Sequence, residues 1–393
     1  MTESQSSRSP ATRLGFVHFL LESQFWFPIW VVFLLQKDFT LGQIVIADMV
    51  FRSSIVILEV PLGIVGDRIG RKKTYFLGAL FAAITYFVFT ITTSFILLLI
   101  CWVLWAFFWS LISGTNTAYR YEILALDSGH SGSIRIFGYF NSIAAAALLI
   151  SHTTAGYLYG IHPALPIWFN VVFSIIAAVL ILTLPSVQSQ VQSSASNYKK
   201  MLQSLVKLIK ENSSILPLIG IMALWTAYHW TPTLVFQPLM QELGLPKRSF
   251  GLVFAIFTGM GILSGIITGR LAQIFGNLPI IISSLILQVA AVACTAFGGN
   301  LFVILAGIVI LRFAYNLSEP ILAILLNREI DNSIRASMIS IVNLLASLIM
   351  ILSRPLVGLV AAKYSVATSF QVWFFVGIIF IPVSIIFINR VKP

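Results

Sequence analysis

Charge is what this chain has least of. Of its 393 residues only 9% are Asp, Glu, Lys or Arg, while 58% are hydrophobic. Soluble domains carry about 25% charged residues, so a water-facing surface cannot be assembled from this sequence, and a soluble globular protein is excluded. Cysteine is nearly absent. Cys101 and Cys294 each lie inside an apolar run, and buried free thiols are expected there, not a disulfide framework or a metal site. Catalytic motifs are missing as well. No G-x-x-x-x-G-K-[ST] loop exists to cradle ATP, no H-E-x-x-H to hold zinc, and no spacing of Ser, His and Asp nominates a triad. The sequence therefore predicts no catalytic residue, no cofactor and no metal: this is not an enzyme.

Long apolar runs are what the chain does have. A helix that spans hydrocarbon needs about 20 mostly apolar residues. Twelve such segments lie near 14–36, 43–66, 74–93, 95–124, 135–161, 164–184, 214–241, 249–275, 278–298, 300–327, 336–361 and 369–389. They are two to three times too long for barrel strands and do not alternate. The fold class expected is an all-α membrane protein of twelve transmembrane helices. The first 13 residues are polar, and the apolar run after them is too long for a removable signal peptide and lacks a small-residue cleavage site.

The scarce charges are placed unevenly. With both termini cytoplasmic, 16 Lys and Arg fall inside and 4 outside, while Arg52, Arg120, Arg312 and Arg354 lie within helices. That asymmetry sets the topology. It also accounts for the net charge of +11 by attraction to the anionic inner leaflet, without nucleic acid. Residues 185–213 are the long polar stretch, and they divide the chain into an N-terminal six-helix bundle (14–184) and a C-terminal one (214–390), behind a cytoplasmic tail (1–13). Within that linker, Tyr198, Met201, Leu202, Leu205, Leu208 and Ile209 recur at helical spacing beside Lys199, Lys200, Lys207 and Lys210. They predict an amphipathic helix on the membrane surface.

The halves repeat. "GIVGDRIG" (Gly63–Gly70) aligns with "GRLAQIFG" (Gly269–Gly276), closing the second and eighth segments. Asn141–Gly156 aligns without gaps with Asn343–Gly358 in the fifth and eleventh. Duplicated six-helix halves imply pseudo-symmetry and a solute pathway near the bilayer midplane. The stretch "GIVGDRIGRKK" packs five charges into seven positions (Asp67, Arg68, Arg71, Lys72 and Lys73) between the second and third segments. Charges so dense must lie outside the hydrocarbon, and glycines there permit a sharp turn. A topological stop signal would need only the basic residues and leaves Asp67 unexplained.

On Gly63, Asp67, Arg68, Gly70, Arg71 and Lys72 the sequence resembles the signature loop G-x-x-x-D-R-x-G-R-K of the major facilitator superfamily of secondary transporters. With twelve spans, the 6 + 6 division and the central linker, the resemblance covers the whole chain. It implies that the loop is a gate latch. Asp67 would cap the cytoplasmic end of the eleventh helix near Arg335–Met338, and Arg71 would pair with an acid ending the fourth, Glu122 or Asp127. The second half carries Gln273 and Asn277 in place of Asp67 and Arg71, so the first-half latch should dominate. Drug–proton antiporters of this superfamily usually carry a Gly-Pro-rich motif in the fifth helix; Ser151–Gly156 has no proline.

The resemblance further implies that the first, fourth, seventh and tenth helices line the cavity. An ionisable group at the bilayer centre costs about 2.5–3.5 kcal/mol on insertion scales, so each needs a partner or a function. The first segment offers Glu22 with Trp26 and Trp30. The fourth offers Trp102, Trp105, Trp109, Asn116, Arg120 and Glu122. The seventh offers Trp225, Tyr228, His229, Trp230 and Gln237 around Pro232, and the tenth Arg312, Tyr315, Asn316 and Glu319 ahead of Pro320. From these, with Arg52, come the substrate or proton pathway candidates: Glu22, Trp26, Arg52, Trp109, Asn116, Arg120, His229, Trp230, Arg312, Tyr315, Asn316 and Glu319. For the aromatic residues, packing or interfacial anchoring competes with lining the pathway. Asp48 and Arg52, at i and i+4, can pair, and Arg354 and His152 read as glue between helices.

The function expected is alternating-access transport of a small organic solute by a monomer in the cell's inner or plasma membrane, coupled to protons. Intramembrane arginines with tryptophans suit an amphipathic organic anion. The alternatives are efflux of amphiphilic cations, with Glu22 and Glu319 as counter-charges, and a non-transporting solute sensor.

Overall fold

The computed structural model describes residues 10–128, 133–186, 215–328, 330 and 335–388. The amphipathic helix expected within 185–213 lies outside the described residues, as do the side chains of Asp67, Asn116, Asp127 and Arg335. Among the described residues every regular element is helical: α1 (Pro10–Glu22), α2 (Trp30–Gln36), α3 (Leu41–Ile69), α4 (Arg71–Ile91), α5 (Phe95–Ser128), α6 (Ser133–Ile161), α7 (Leu165–Leu182), α8 (Ile215–Trp230), a 3-10 turn (Pro232–Val235), α9 (Phe236–Glu242), α10 (Lys247–Phe275), α11 (Asn277–Phe297), α12 (Leu301–Arg328), α13 (Arg335–Lys363) and α14 (Val366–Ile388).

Nine of the described helices are long and apolar enough to cross a membrane: α3, α4, α5, α7 and α10 to α14. The other three expected spans differ for physical reasons. Segments one and seven are each broken into two short helices, and α6, though long, is diluted by Asn141, Ser142, Ser151, His152, Thr153 and Thr154.

Breaking a helix in hydrocarbon orphans backbone groups, and each must find a partner. At the first break, ahead of Pro28, the amide of Gln24 donates to Ser151 Oγ (3.0 Å) and that of Trp26 to Asn170 Oδ1 (3.0 Å). Asn170 Nδ2 in turn donates to the Ser23 carbonyl. The amides of Val31 and Val32, in the first turn of α2, both donate to Gln237 Oε1 at 2.9 and 3.2 Å. At the second break Pro232 has no N–H to give. The Trp230 carbonyl accepts from Thr233 Oγ1 (2.7 Å) and Arg354 Nη2 (2.9 Å).

The chain forms two compact units, Met1–Phe27 with Ser54–Ser196 and Pro28–Ser53 with Asn197–Pro393. In the first, Trp26 sits among Tyr86, Phe89, Trp102 and Trp105, its ring centroid 5.2 Å from that of Trp105. In the second, Tyr228 stacks on Trp373 at 5.3 Å, and the indole nitrogens of Trp225 and Trp373 donate to Ser384 Oγ and the Tyr228 carbonyl. Buried tryptophans are satisfied in this way when a hydroxyl or a carbonyl is within reach.

The aligned glycines of the repeat share one backbone conformation. Gly70 and Gly276 have φ of 88° and 85°, a region that side-chain-bearing residues avoid. Each turns the chain from one long helix directly into the next. The charged motif is therefore less a loop than a one-residue hinge. Gly63, Asp67 and Arg68 occupy the end of α3, while Arg71 and Lys72 open α4.

Candidate functional site

Among the described residues, ionisable side chains cluster inside the apolar helices of both units. In the first unit, His18 and Glu22, one turn apart on α1, meet Arg120 of α5. Arg120 Nη2 is 2.8 Å from His18 Nδ1 and 3.9 Å from Glu22 Oε1, and the two α1 groups are 3.5 Å apart. The guanidinium lies 4.9 Å from the Phe140 ring of α6, within cation–π reach. Guanidinium groups only donate, so His18 Nδ1 accepts, which makes the imidazole neutral with its proton on Nε2. The lone pair of Nδ1 and the Glu22 carboxylate then point at the same small volume, and Arg120 offsets their repulsion.

In the second unit, Arg312 of α12 approaches His229 of α8, Nη1 to Nε2, at 3.3 Å. By the same argument His229 is neutral, with its proton on Nδ1. Its ring is sandwiched between Tyr315 (centroids 4.4 Å apart, 10° between planes) and Phe257 of α10 (5.8 Å, 14°). The guanidinium lies 5.1 Å from the ring of Trp230 and 5.4 Å from that of Phe257. Tyr315 Oη bonds Thr226 Oγ1 (3.3 Å), and Asn316 Nδ2 donates to the Gly261 carbonyl (3.1 Å). Gly261 leaves the space that both side chains fill. A Cβ on it would stand 2.9 Å from Arg312 Nε and 3.1 Å from Asn316 Nδ2. Glu319, two turns from Arg312, is exposed and makes no ion pair within 4.0 Å among the described residues.

Arg52 is held elsewhere. Its Nε is 3.1 Å from Asp48 Oδ2, while Asp48 Oδ1 is 2.7 Å from Arg354 Nη1, all within the second unit. Arg354, with its further bond to the Trp230 carbonyl, fastens α3 and α13 to the break below α8. At the motif, Arg71 Nη1 lies 2.6 Å from Glu122 Oε1, and Lys72 Nζ donates to the Leu182 carbonyl at 2.8 Å. Of the pathway candidates among the tryptophans, Trp26 is buried in its aromatic cluster, Trp230 is half-buried against Arg312, and Trp109 is exposed. His18, Asn170 and Gly261 were not singled out in the sequence. The i, i+4 spacing of His18 and Glu22 was the available signal for the first; the other two show their roles only in three dimensions. Among the described residues no group of His, Cys, Asp and Glu could hold a metal.

The sequence model of the Major Facilitator Superfamily matches residues 14–238 and again 218–393. The chain belongs to the major facilitator superfamily. This superfamily member is similar to YxaM, described as an uncharacterized MFS-type transporter of Bacillus subtilis (strain 168), at 23% identity over 367 residues, covering 88% of this chain and 87% of that protein. Its fold is that of crystal structures of transporters. Nucleoside transporter NupG superposes with a TM-score of 0.78 at 16% identity, covering 98% of this chain and 99% of the other. A bacterial homologue of the iron transporter ferroportin, in an inward-facing state, gives 0.75 at 17% (99% and 100%), and a D-xylose–proton symporter 0.72 at 12% (95% of each). The protein is thus a membrane-embedded MFS transporter and not an enzyme.

Proposed function

We propose that the protein is a proton-coupled secondary transporter, moving a small organic solute by alternating access, with the proton carried at His18–Glu22–Arg120. The observation that carries this reading is the competition built into that cluster. Nδ1 of His18 and the Glu22 carboxylate are two acceptors 3.5 Å apart, and Arg120 is the donor that both rely on. A proton arriving on either acceptor removes the reason for Arg120 to stay. On Nδ1 it would set two donors against each other; on Glu22 it would cancel the counter-charge. Proton binding thereby leaves a guanidinium, its side chain only 14% exposed, without its acid, and that is costly unless the cation moves or finds an anion. A titration is converted into a drive for conformational change or solute binding.

The solute class that fits the intramembrane arginines and aromatic residues is an amphipathic organic anion. The motif hinge at Gly70 with the Arg71–Glu122 pair would serve as the cytoplasmic latch. The protein would work as a monomer in the plasma membrane with both termini in the cytoplasm, and its two six-helix bundles would be joined by the linker at 185–213. The test is flux in proteoliposomes loaded with a pH-sensitive dye, adding pools of organic anions, sugars and cationic amphiphiles in turn. Proton movement triggered by one pool and abolished in Glu22→Gln supports coupling at this cluster. Solute accumulation whose pH dependence is unchanged in Glu22→Gln rejects it. A response to the cationic pool alone would replace the anion reading by efflux of cations.

A further inference from the structure

We infer that Arg312 is the anion-binding residue of the solute site, and that it takes a carboxylate or phosphate group whose attached ring lies against Trp230 and Tyr315. This rests on the transporter reading above and deepens it. The observation is an imbalance among the four arginines within the spans. Arg120 faces Glu22, and Arg52 and Arg354 share Asp48. Among the described residues no carboxylate stands within 4.0 Å of Arg312.

Its immediate neighbours hold a cation without pairing with it, and Glu319, two turns along α12, acts on it only from beyond 4.0 Å. Two aromatic faces lie 5.1 and 5.4 Å away, and its one side-chain bond goes to a neutral imidazole at 3.3 Å. Nε is buried and makes no hydrogen bond. Arg354 shows what a structural arginine looks like in the same unit: a carboxylate at 2.7 Å and a backbone carbonyl at 2.9 Å. Arg312 makes neither contact. A guanidinium presents paired donors that match carboxylate and phosphate oxygens, so the missing partner is a planar or tetrahedral oxyanion.

The place is both reachable and firm. Thr226, Trp230, Tyr315 and Asn316 are only half-buried. The sandwich of Tyr315, His229 and Phe257 fixes the side on which a ring could lie, and Gly261 leaves the room that Arg312 and Asn316 occupy. Aromatic walls favour ring-bearing solutes through stacking. A compact aliphatic acid would leave them unused.

The probes are phenylacetate, indole-3-acetate and phenyl phosphate, each set against a neutral partner (phenylacetamide, indole-3-acetamide and phenol). Binding is read on the full-length protein in nanodiscs by intrinsic tryptophan fluorescence and by thermal stabilisation. At least one anion should bind about tenfold to a hundredfold more tightly than its neutral partner, as for hydrogen bonds to charged groups. Arg312→Gln should erase that preference while Arg312→Lys keeps part of it. Asn316→Asp, which supplies a carboxylate beside the guanidinium, should weaken anion binding and spare the neutral compound. Should Arg312→Gln fold poorly, Arg312→Lys and Asn316→Asp carry the test. Silence from all three anions, or a preference that survives loss of Arg312, overturns the inference. Proton-linked flux of a neutral or cationic pool in the same preparation would then leave the transporter reading standing; absence of any proton-linked flux would remove both.

Discussion

Replacing Asp48 by Asn should destabilise the second unit more than removing either arginine that Asp48 holds, and the reason is the charge left behind. Asp48 and Arg354 have side chains 5% exposed, and Arg52 is 14% exposed. As built, one carboxylate and two guanidiniums sum to +1. Asp48→Asn leaves two buried cations and no acid, and breaking a buried pair from one side costs about 3–5 kcal/mol. Arg354→Gln leaves Asp48 still facing Arg52, a neutral pair. Its main loss is the charged hydrogen bond to Asp48, worth about 1.5–3 kcal/mol, since the Trp230 carbonyl keeps its bond from Thr233 Oγ1. Arg52→Gln keeps the shorter pair intact and should cost about 1 kcal/mol, near the upper value for a partly solvated ion pair.

The assay is the half-life of monodisperse, detergent-solubilised protein at one elevated temperature, since membrane proteins lose structure irreversibly and the rate is then the meaningful quantity. Half-lives should fall in the order Arg52→Gln, Arg354→Gln, Asp48→Asn. Each 1.4 kcal/mol expressed in the barrier is about tenfold. The decisive member is the double variant Asp48→Asn/Arg354→Gln. It removes one of the two orphaned cations, so it should outlive Asp48→Asn alone. A double variant no better than the single one, or Asp48→Asn no worse than Arg52→Gln, would refute the electrostatic argument.

Other perturbations test other parts of the fold. Asn170→Ala strips the Trp26 amide and the Ser23 carbonyl of their Asn170 bonds at the first helix break and should cost about 1–3 kcal/mol for each buried group left unpaired; Asn170→Asp, which keeps the acceptor for Trp26, should fall between it and the native protein in the same half-life measurement. Gly307→Ala should destabilise by about 1–3 kcal/mol through overpacking, because a Cβ there runs into Thr295 and the Ala291 carbonyl of α11; Gly269→Ala, where a Cβ meets nothing within 4 Å, is the matched control. For the latch, Glu122→Arg and Arg71→Glu should each slow transport at normal protein level and recover partly when combined; two single variants at native rates would remove that role from the pair. Asp67→Asn should likewise slow flux without lowering abundance.

What could be read in the sequence is what one helix can show by itself. Membrane class follows from charge too sparse to clothe a surface, and the repeat appears in glycines that later share a positive φ at Gly70 and Gly276. The motif could offer Arg71 a short choice of acids, because Glu122 and Asp127 both end the adjoining segment. The breaks at Pro28 and Pro232 were harder to read. A proline signals a lost donor, but whether hydrocarbon tolerates the gap depends on Asn170, Ser151 and Gln237 at the first break and Arg354 at the second, each arriving from more than a hundred residues away. Pairing of the intramembrane charges was less legible still. Asp48 and Arg354 are 306 positions apart, and His18 and Arg120 are 102. In the sequence, Arg120, Arg312 and Arg354 are each a cation within an apolar run, and it is the resemblance that sets the first two apart as pathway candidates from Arg354 as glue between helices. Their difference is one of company. Arg354 is spent on Asp48 and a carbonyl, and Arg120 is balanced by an acid that a proton can silence. Arg312 is surrounded by rings, with no carboxylate within 4.0 Å among the described residues and Glu319 acting on it only from farther off. Since a guanidinium within the spans is expensive without a directly paired acid, the partner inferred for Arg312 is an anion that arrives with the solute.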